Sequence, residues 1–374
     1  MVDWYEPGFK AGGPVQSCRN FVNAMKDNFD IYIITSDRDL GDEKPYPGIE
    51  FEKWVTKGSN VQLYYSDKQK ISGSKLQSLI GEIDPDYIYL NSMYSYRFTI
   101  LPLLITIKKK IRAKIIVAPR GMLHEGALQF KSLKKKIFIQ GLKLTGIAQK
   151  LIFHATDEQE RKDIFKHFPV NAGVSVIANF PKTESPIVKK IEKKAGVLKS
   201  VFISRLAPKK NILFLLQLLL KLPENINLQI TLRGEIEDGN YWKKCSEAVD
   251  KLPDNISVAW EGPVPNDEVG EVLNKHHLFV LPTKGENFGH AIFESFLSGR
   301  PVLISDQTPW RNLASQKIGW DISLQKPELF LEAIKKAANF DQREYDEWSY
   351  NARTYAIEYR AKQNVKEEYL KLFI

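Results

Sequence analysis

The chain is poor in cysteine and has no long apolar run. Among 374 residues there are two cysteines, Cys18 and Cys245, far apart in sequence. Two isolated thiols make neither a disulfide framework nor a zinc site, which suits a reducing cytosol. The longest apolar runs, 98–107 and 212–220, fall short of the roughly 20 residues that a bilayer-spanning helix needs. The opening Met1-Val2-Asp3-Trp4-Tyr5-Glu6 has no basic start and no apolar stretch, so it does not read as a signal peptide. The six histidines form no metal-spaced cluster, and no nucleophilic-serine elbow is present. These absences point to a cytoplasmic protein, soluble or peripheral on a membrane.

Acid is nearly missing from residues 87–156. Thirteen Lys and Arg stand there against Glu125 alone, a balance of +12 where the whole chain carries +9. Such a segment suits an anionic partner, either a membrane surface or a nucleic acid. Its bases are mostly lysines with few aromatics among them for stacking, and no nucleic-acid module is recognisable. Nucleic acid is therefore set aside, and the inner membrane face is the expected anionic surface.

What is present is ample apolar sequence, 43% of the chain, and a length that suits two domains. Strand-like runs at 31–35, 87–90, 114–118, 150–154 and 174–177 alternate with helical stretches. A polar, lysine-rich stretch at 182–194 follows, and the pattern restarts at 200–204, 228–232, 256–260, 278–281 and 301–305. Most of these runs are apolar on both faces, as buried parallel strands are. The expected fold is α/β, with two doubly wound parallel-sheet domains at 1–180 and 181–354. The tail, about 355–374, reads as an amphipathic helix crossing back onto the first domain through Tyr355, Ile357, Tyr359 and Val365. The opening strand is nearly absent.

Three segments carry chemistry. The first runs from Leu281-Pro282 through Thr283-Lys284-Gly285-Glu286-Asn287-Phe288 into a helix beginning near Gly289. Backbone N–H groups at such a helix start form an anion site. Glu286 lies beyond the carboxyl end of a strand, where ligands of open α/β sheets bind. Glu294 sits among Ile292, Phe293, Phe296 and Leu297, where packing gives no reason for a carboxylate; His290 shares its face. A carboxylate accepts two hydroxyl hydrogen bonds, so Glu294 suits a ribose diol and Glu286 a sugar hydroxyl. The second segment, Ser204 to Asn211, puts Arg205 and Lys210 past another strand end, where two cations clamp a diphosphate. In the third, Gly12 and Gly13 let backbone N–H groups approach a phosphate or sugar closely.

Together these segments resemble the GT-B glycosyltransferases, specifically the retaining family 4, also called glycosyl transferases group 1. The resemblance rests on the Glu286…Glu294 pair around Asn287-Phe288-Gly289, the Arg205…Lys210 pair and the Gly12-Gly13 loop. Pro119-Arg120-Gly121-Met122-Leu123 and Pro301-Val302-Leu303-Ile304-Ser305-Asp306 with Thr308-Pro309-Trp310 also look like the family. It implies two Rossmann-like domains facing a central cleft that closes on the donor. It implies catalytic roles for Glu286, Arg205 and Lys210. Glu294, Asn287, Phe288, Gly289, His290, Gly12 and Gly13 would bind the donor. Arg120 and His124 would lie on the acceptor side; many relatives carry a histidine where this chain has Arg120-Gly121. The implied reaction transfers a hexose unit from a nucleoside diphosphate sugar, with UDP-sugar favoured on family frequency, to a glycan or lipid-linked glycan. The rival reading on the same architecture is a phosphorylase or an epimerase.

No metal and no other cofactor is expected. Asp84-Pro85-Asp86 precedes a strand, at the wrong edge of its sheet. Asp37-Arg38-Asp39 follows one, but nothing nearby in sequence supplies further ligands.

Overall fold

Among the described residues all strand pairings but one are parallel. The structure, a computed structural model, describes residues 1–67, 70–124, 128, 132–168, 173–362 and 364–374. Glu125 lies outside the described residues. The chain divides into two compact units, Met1–Phe180 with Asn364–Ile374, and Pro181–Gln363.

The first unit holds two sheets. One has the order β1 (Ile31–Ser36), β3 (Val61–Ser66), β2 (Trp54–Thr56); the other runs β4 (Tyr87–Leu90), β5 (Lys114–Val117), β6 (Leu151–Ala155), β7 (Gly173–Val176). Only β2 and β3 pair antiparallel. The short opening segment bonds to both sheets. The Val2 N–H donates to the Ile34 C=O at 3.3 Å, and the Asn91 N–H donates to the Met1 C=O at 3.1 Å. These opening residues thus bridge the two sheets. The helices begin on side-chain caps where the sequence offers them: Ser72 accepts from the Lys75 N–H, and Asp157 from the Glu160 N–H.

The second unit is one six-stranded parallel sheet. Its members are β8 (Val197–Ile203), β9 (Asn227–Arg233), β10 (Ile256–Trp260), β11 (Leu278–Leu281), β12 (Val302–Ser305) and β13 (Gly319–Ile322). Their order in space is β10-β9-β8-β11-β12-β13. All residues of β11 and β12 are buried, because helices cover both faces of the sheet. The chain winds outward from β8 in one direction and from β11 in the other. The crevice beyond the carboxyl ends of β8 and β11 is therefore the topological switch point, where such sheets bind ligands.

The tail divides between the units. On helix Gln342–Lys362, Tyr355 and Tyr359 pack against Phe296, Phe293 and Trp310 in the second unit. Helix Val365–Leu372 belongs to the first unit, where Val365, Tyr369 and Leu372 join Met25, Ile116 and Phe180 in one apolar cluster. No helix among the described residues is long and apolar enough to cross a membrane.

Candidate active site

The switch point of the second unit gathers the catalytic candidates. Beyond β8, Ser204 to Asn211 forms a turn; beyond β11, Thr283 to Gly289 forms a loop. Backbone hydrogen bonds stitch the two together: the Lys284 N–H donates to the Lys209 C=O at 2.8 Å, and the Thr283 hydroxyl donates to the same carbonyl at 3.3 Å. A third loop joins after β12, where the Gln307 C=O accepts from the Glu286 N–H at 2.9 Å. This scaffold brings Lys210 and Glu286 into an ion pair. Burial pushes the Glu286 carboxyl up, but Lys210, Lys209, the hydrogen bond from Lys210 and Arg205 outweigh it and hold the group below its ordinary range. Glu286 is thus an acceptor-only carboxylate at neutral pH.

Arg205 opens from the same turn but takes its own partner. Its guanidinium donates to the Glu237 carboxylate at 2.6 Å, with both side chains partly exposed. An exposed pair of this kind is weak. Arg205 can therefore exchange Glu237 for an incoming phosphate at little cost.

The helix His290–Leu297 begins one residue after the Gly289 start expected from the sequence. Gly289 caps it at φ +76°, and a Cβ there would sit 2.7 Å from Ile292 Cδ1. Glycine is required on both counts. Gly289 has no side chain with which to cap this N-terminus, and helix starts of this kind receive anions. One turn on, Glu294 is buried, and its Oε1 lies 3.8 Å from Lys182 Nζ, which also donates to the Asn266 C=O at 3.1 Å. His290 is buried with its ring against Phe288, centroids 4.9 Å apart. Phe288 is buried too, and its carbonyl accepts from Trp310 Nε1 at 2.6 Å. That bond fixes the loop, so the Phe288 carbonyl is a brace rather than a ready ligand contact. Asn287 stands between Glu286 and Phe288, partly buried.

The remaining candidates lie in the first unit. Gly12 has φ +67° and caps the helix Gly13–Met25, with no atom within 4 Å of where a Cβ would stand. Its backbone, not crowding, therefore calls for glycine. Asp39 organises this loop, a role the sequence reading missed: its carboxylate accepts from the N–H of Phe9 at 2.7 Å, of Lys10 at 3.0 Å and of Leu40 at 2.7 Å. Asp37 pairs with Arg38 at 2.8 Å. These two acids thus hold backbone and a cation.

Arg120 turns into a polar network within its own unit. Its guanidinium donates to Asn179, to the Tyr89 hydroxyl at 3.0 Å and to Asn91 Oδ1 at 2.7 Å. Behind it, Glu160 is buried and accepts from the Gly121 N–H, from the Thr156 N–H at 2.7 Å and from the Thr156 hydroxyl at 2.7 Å. Burial raises the Glu160 carboxyl's pKa against those donors. Glu160 thus clamps the 119–121 loop. His124 follows in a turn, partly buried.

The sequence does not single out Lys182, Glu237 or Glu160, and it offers Asp39 only as half of a metal-type carboxylate pair. Glu237 alone had a usable signal, because it lies just past the carboxyl end of β9. The others meet their partners only through tertiary folding.

Residues 184–355 match the model of a family described as glycosyl transferases group 1. No curated protein matches the chain by sequence. Many solved structures are similar, three of them as follows. A variant of S. aureus TarM, in complex with fondaparinux, alpha-GlcNAc-glycerol and UDP, has TM-score 0.60 and 19% identity over 80% of this chain. This chain spans 58% of TarM, less than two thirds of its length. Sucrose-phosphate synthase from Thermosynechococcus elongatus has TM-score 0.70 and 13% identity, covering 100% of this chain and 94% of that one. WaaG, a glycosyltransferase involved in lipopolysaccharide biosynthesis, has TM-score 0.62 and 14% identity, covering 100% and 98%. At these identities the likeness is one of fold, and the fold is GT-B.

Proposed function

We propose that this chain, with a glycosyl transferases group 1 domain at 184–355, moves a hexose unit from a nucleoside diphosphate sugar to an alcohol with retention of anomeric configuration. The observation that carries the reading is the Lys210–Glu286 pair at the switch point, beside Arg205 and the helix start led by Gly289. A diphosphate entering there draws Lys210 and Arg205 away from their carboxylates. Glu286 is then released to accept hydroxyls of the donor sugar. The two cations and the helix start stabilise the charge that develops on the leaving diphosphate. That diphosphate takes the acceptor's proton as the new glycosidic bond forms, so no protein nucleophile is needed. Glu294, close to Lys182, receives the ribose hydroxyls.

A UDP-sugar is the favoured donor; TarM, similar in fold, was captured with UDP. The acceptor is a glycan or a lipid-linked glycan of a surface polysaccharide pathway. The basic segment 87–156 suits work at an anionic membrane surface from the cytoplasmic side. No metal or other cofactor takes part in this reading.

A thermal-shift and hydrolysis screen over nucleotide sugars tests it. A bound donor raises the melting temperature by mass action, and product analysis identifies the transferred sugar. No shift and no turnover with any nucleotide sugar would sink the reading.

A further inference from the structure

The helix Ser132–Leu144 is apolar on two opposite faces. Its inner face is core: Ile139 and Leu142 are buried, and Phe138 meets Tyr94 edge to face at 5.9 Å. Its outer face is not. Leu133 is 71% exposed, Ile137 63% and Leu144 86%. At about 100° per residue these three fall within about 40° of one another, opposite the core face. They form a straight crest about 16 Å long at the helical rise. A crest of large aliphatic side chains turned fully to water is not explained by packing.

The charges beside the crest say what it meets. The helix carries Lys134, Lys135, Lys136 and Lys143 and no acid. By the same rotation Lys136 and Lys143 lie about 80–100° from the crest's centre on one side, and Lys134 about 80° on the other. Lys135 points further round, with its ammonium 5.3 Å from the Tyr94 ring centroid. A second copy of the chain would set lysines against lysines. A nucleic acid would satisfy the lysines but leave the leucines and isoleucine wet. An anionic bilayer satisfies both, since aliphatic side chains enter the headgroup layer while ammonium groups hold lipid phosphates.

We infer that the helix Ser132–Leu144 is a membrane-docking element, which inserts Leu133, Ile137 and Leu144 into an anionic lipid surface between flanking lysines. This goes beyond attraction of the basic segment as a whole, and it deepens the reading of a membrane-side acceptor. One element, seated on the core of the first unit, fixes which face of that unit lies on the bilayer.

Vesicle flotation tests the inference, using phosphatidylcholine alone and mixed with phosphatidylglycerol. The chain should float with the anionic vesicles only. A variant with Leu133→Ser, Ile137→Ser and Leu144→Ser should bind them at least about tenfold more weakly at physiological salt. A variant with Lys134→Glu, Lys136→Glu and Lys143→Glu should lose binding even at low salt. Circular dichroism and a nucleotide thermal shift serve as controls, because the crest is exposed and its polar variants should fold and bind nucleotide. Wild-type flotation by the serine variant would overturn insertion while leaving diffuse attraction standing. Equal binding to neutral vesicles would overturn the role of the lysines. A dimer in sizing that the serine variant abolishes, or oligonucleotide binding in place of flotation, would overturn the lipid partner. None of these outcomes bears on sugar transfer, which the nucleotide screen judges separately.

Discussion

Lys210 and Glu286 close an ion pair between the turn after β8 and the loop after β11, with 13% and 14% of their side chains exposed. Each therefore holds the other's charge in a largely dehydrated place. Such a pair is set in place before ligand arrives and can be exchanged for it.

Lys210→Ala removes the cation and leaves Glu286 without its main partner. Loss of a charge-assisted phosphate contact costs on the order of 1.5–3 kcal/mol, so donor affinity should fall about tenfold or more. Glu286→Gln keeps the shape and removes the charge, so turnover should fall while nucleotide affinity changes little. Calorimetric titration of UDP separates the two. Unchanged affinity in Lys210→Ala would remove that lysine from the site.

Glu294→Ala should act through nucleotide affinity rather than turnover, because the ribose lies away from the bond that breaks. Lys182→Met should mimic it weakly. Lys182 lies 3.8 Å from the carboxylate and so orients it at long range rather than by a tight bond. The dissociation constant of UDP should rise more in the glutamate variant than in the lysine variant. The reverse order would place Lys182, not Glu294, on the nucleotide.

The fold was largely legible because parallel strands covered on both faces are continuous apolar runs. The strands at 87–90, 256–260 and 278–281 appear where the sequence put them. The three missed strands lack that signature. β2 is three residues on an antiparallel edge. β3, Val-Gln-Leu-Tyr-Tyr-Ser, interrupts its apolar run with Gln62. β13 is a sheet edge that includes Gly319 and Asp321. In the site, Glu286 and Lys210 stood out because each follows a strand end within a short loop. Lys182 and Asp39 did not, because the groups they meet are set by how the loops return. The pair joining Lys182 to Glu294 spans more than a hundred residues of sequence.

His154 gives the first unit a pH dependence. It is fully buried; its Nε2–H donates to the Ile177 C=O at 2.8 Å, and its Nδ1 accepts from the Tyr89 hydroxyl at 2.6 Å. Burial, and then the Arg120 charge, lower its pKa from 6.5 to about 3. The unfolded chain takes up this proton near 6.5, and the folded chain refuses it until about 3. The stabilisation is complete above 6.5 and is lost as pH falls toward 3, with a slope approaching about 1.4 kcal/mol per unit. His154→Gln should cost stability at neutral pH but flatten that slope. In urea unfolding compared at about pH 7 and about pH 5, the wild type should lose about 2 kcal/mol more than the variant. Equal losses would mean that His154 is protonated in the folded chain.

Tyr369 ties the tail to the first unit by its ring and by its hydroxyl, and the two can be separated. The ring is buried, stacks on Phe180 with centroids 4.7 Å apart and meets Phe21 and His154 at 5.2 and 5.1 Å. The hydroxyl lies beside Tyr89 and Arg120, at the edge of the network that also holds Asn179. Tyr369→Phe removes the hydroxyl from a network with other donors, and should cost about 1 kcal/mol. Tyr369→Ala removes the ring from a packed cluster, and should cost about 3–5 kcal/mol. Because this cluster contains Met25, Ile116 and Phe180, the loss should fall on the first unit. Hydrogen exchange read peptide by peptide locates it. In the alanine variant β4, β5 and the helix Gly13–Met25 should exchange faster, while β8 to β12 keep wild-type protection. If protection is lost equally in both units, the helix Val365–Leu372 does more than complete the first unit's core, and the stability of the two units is coupled.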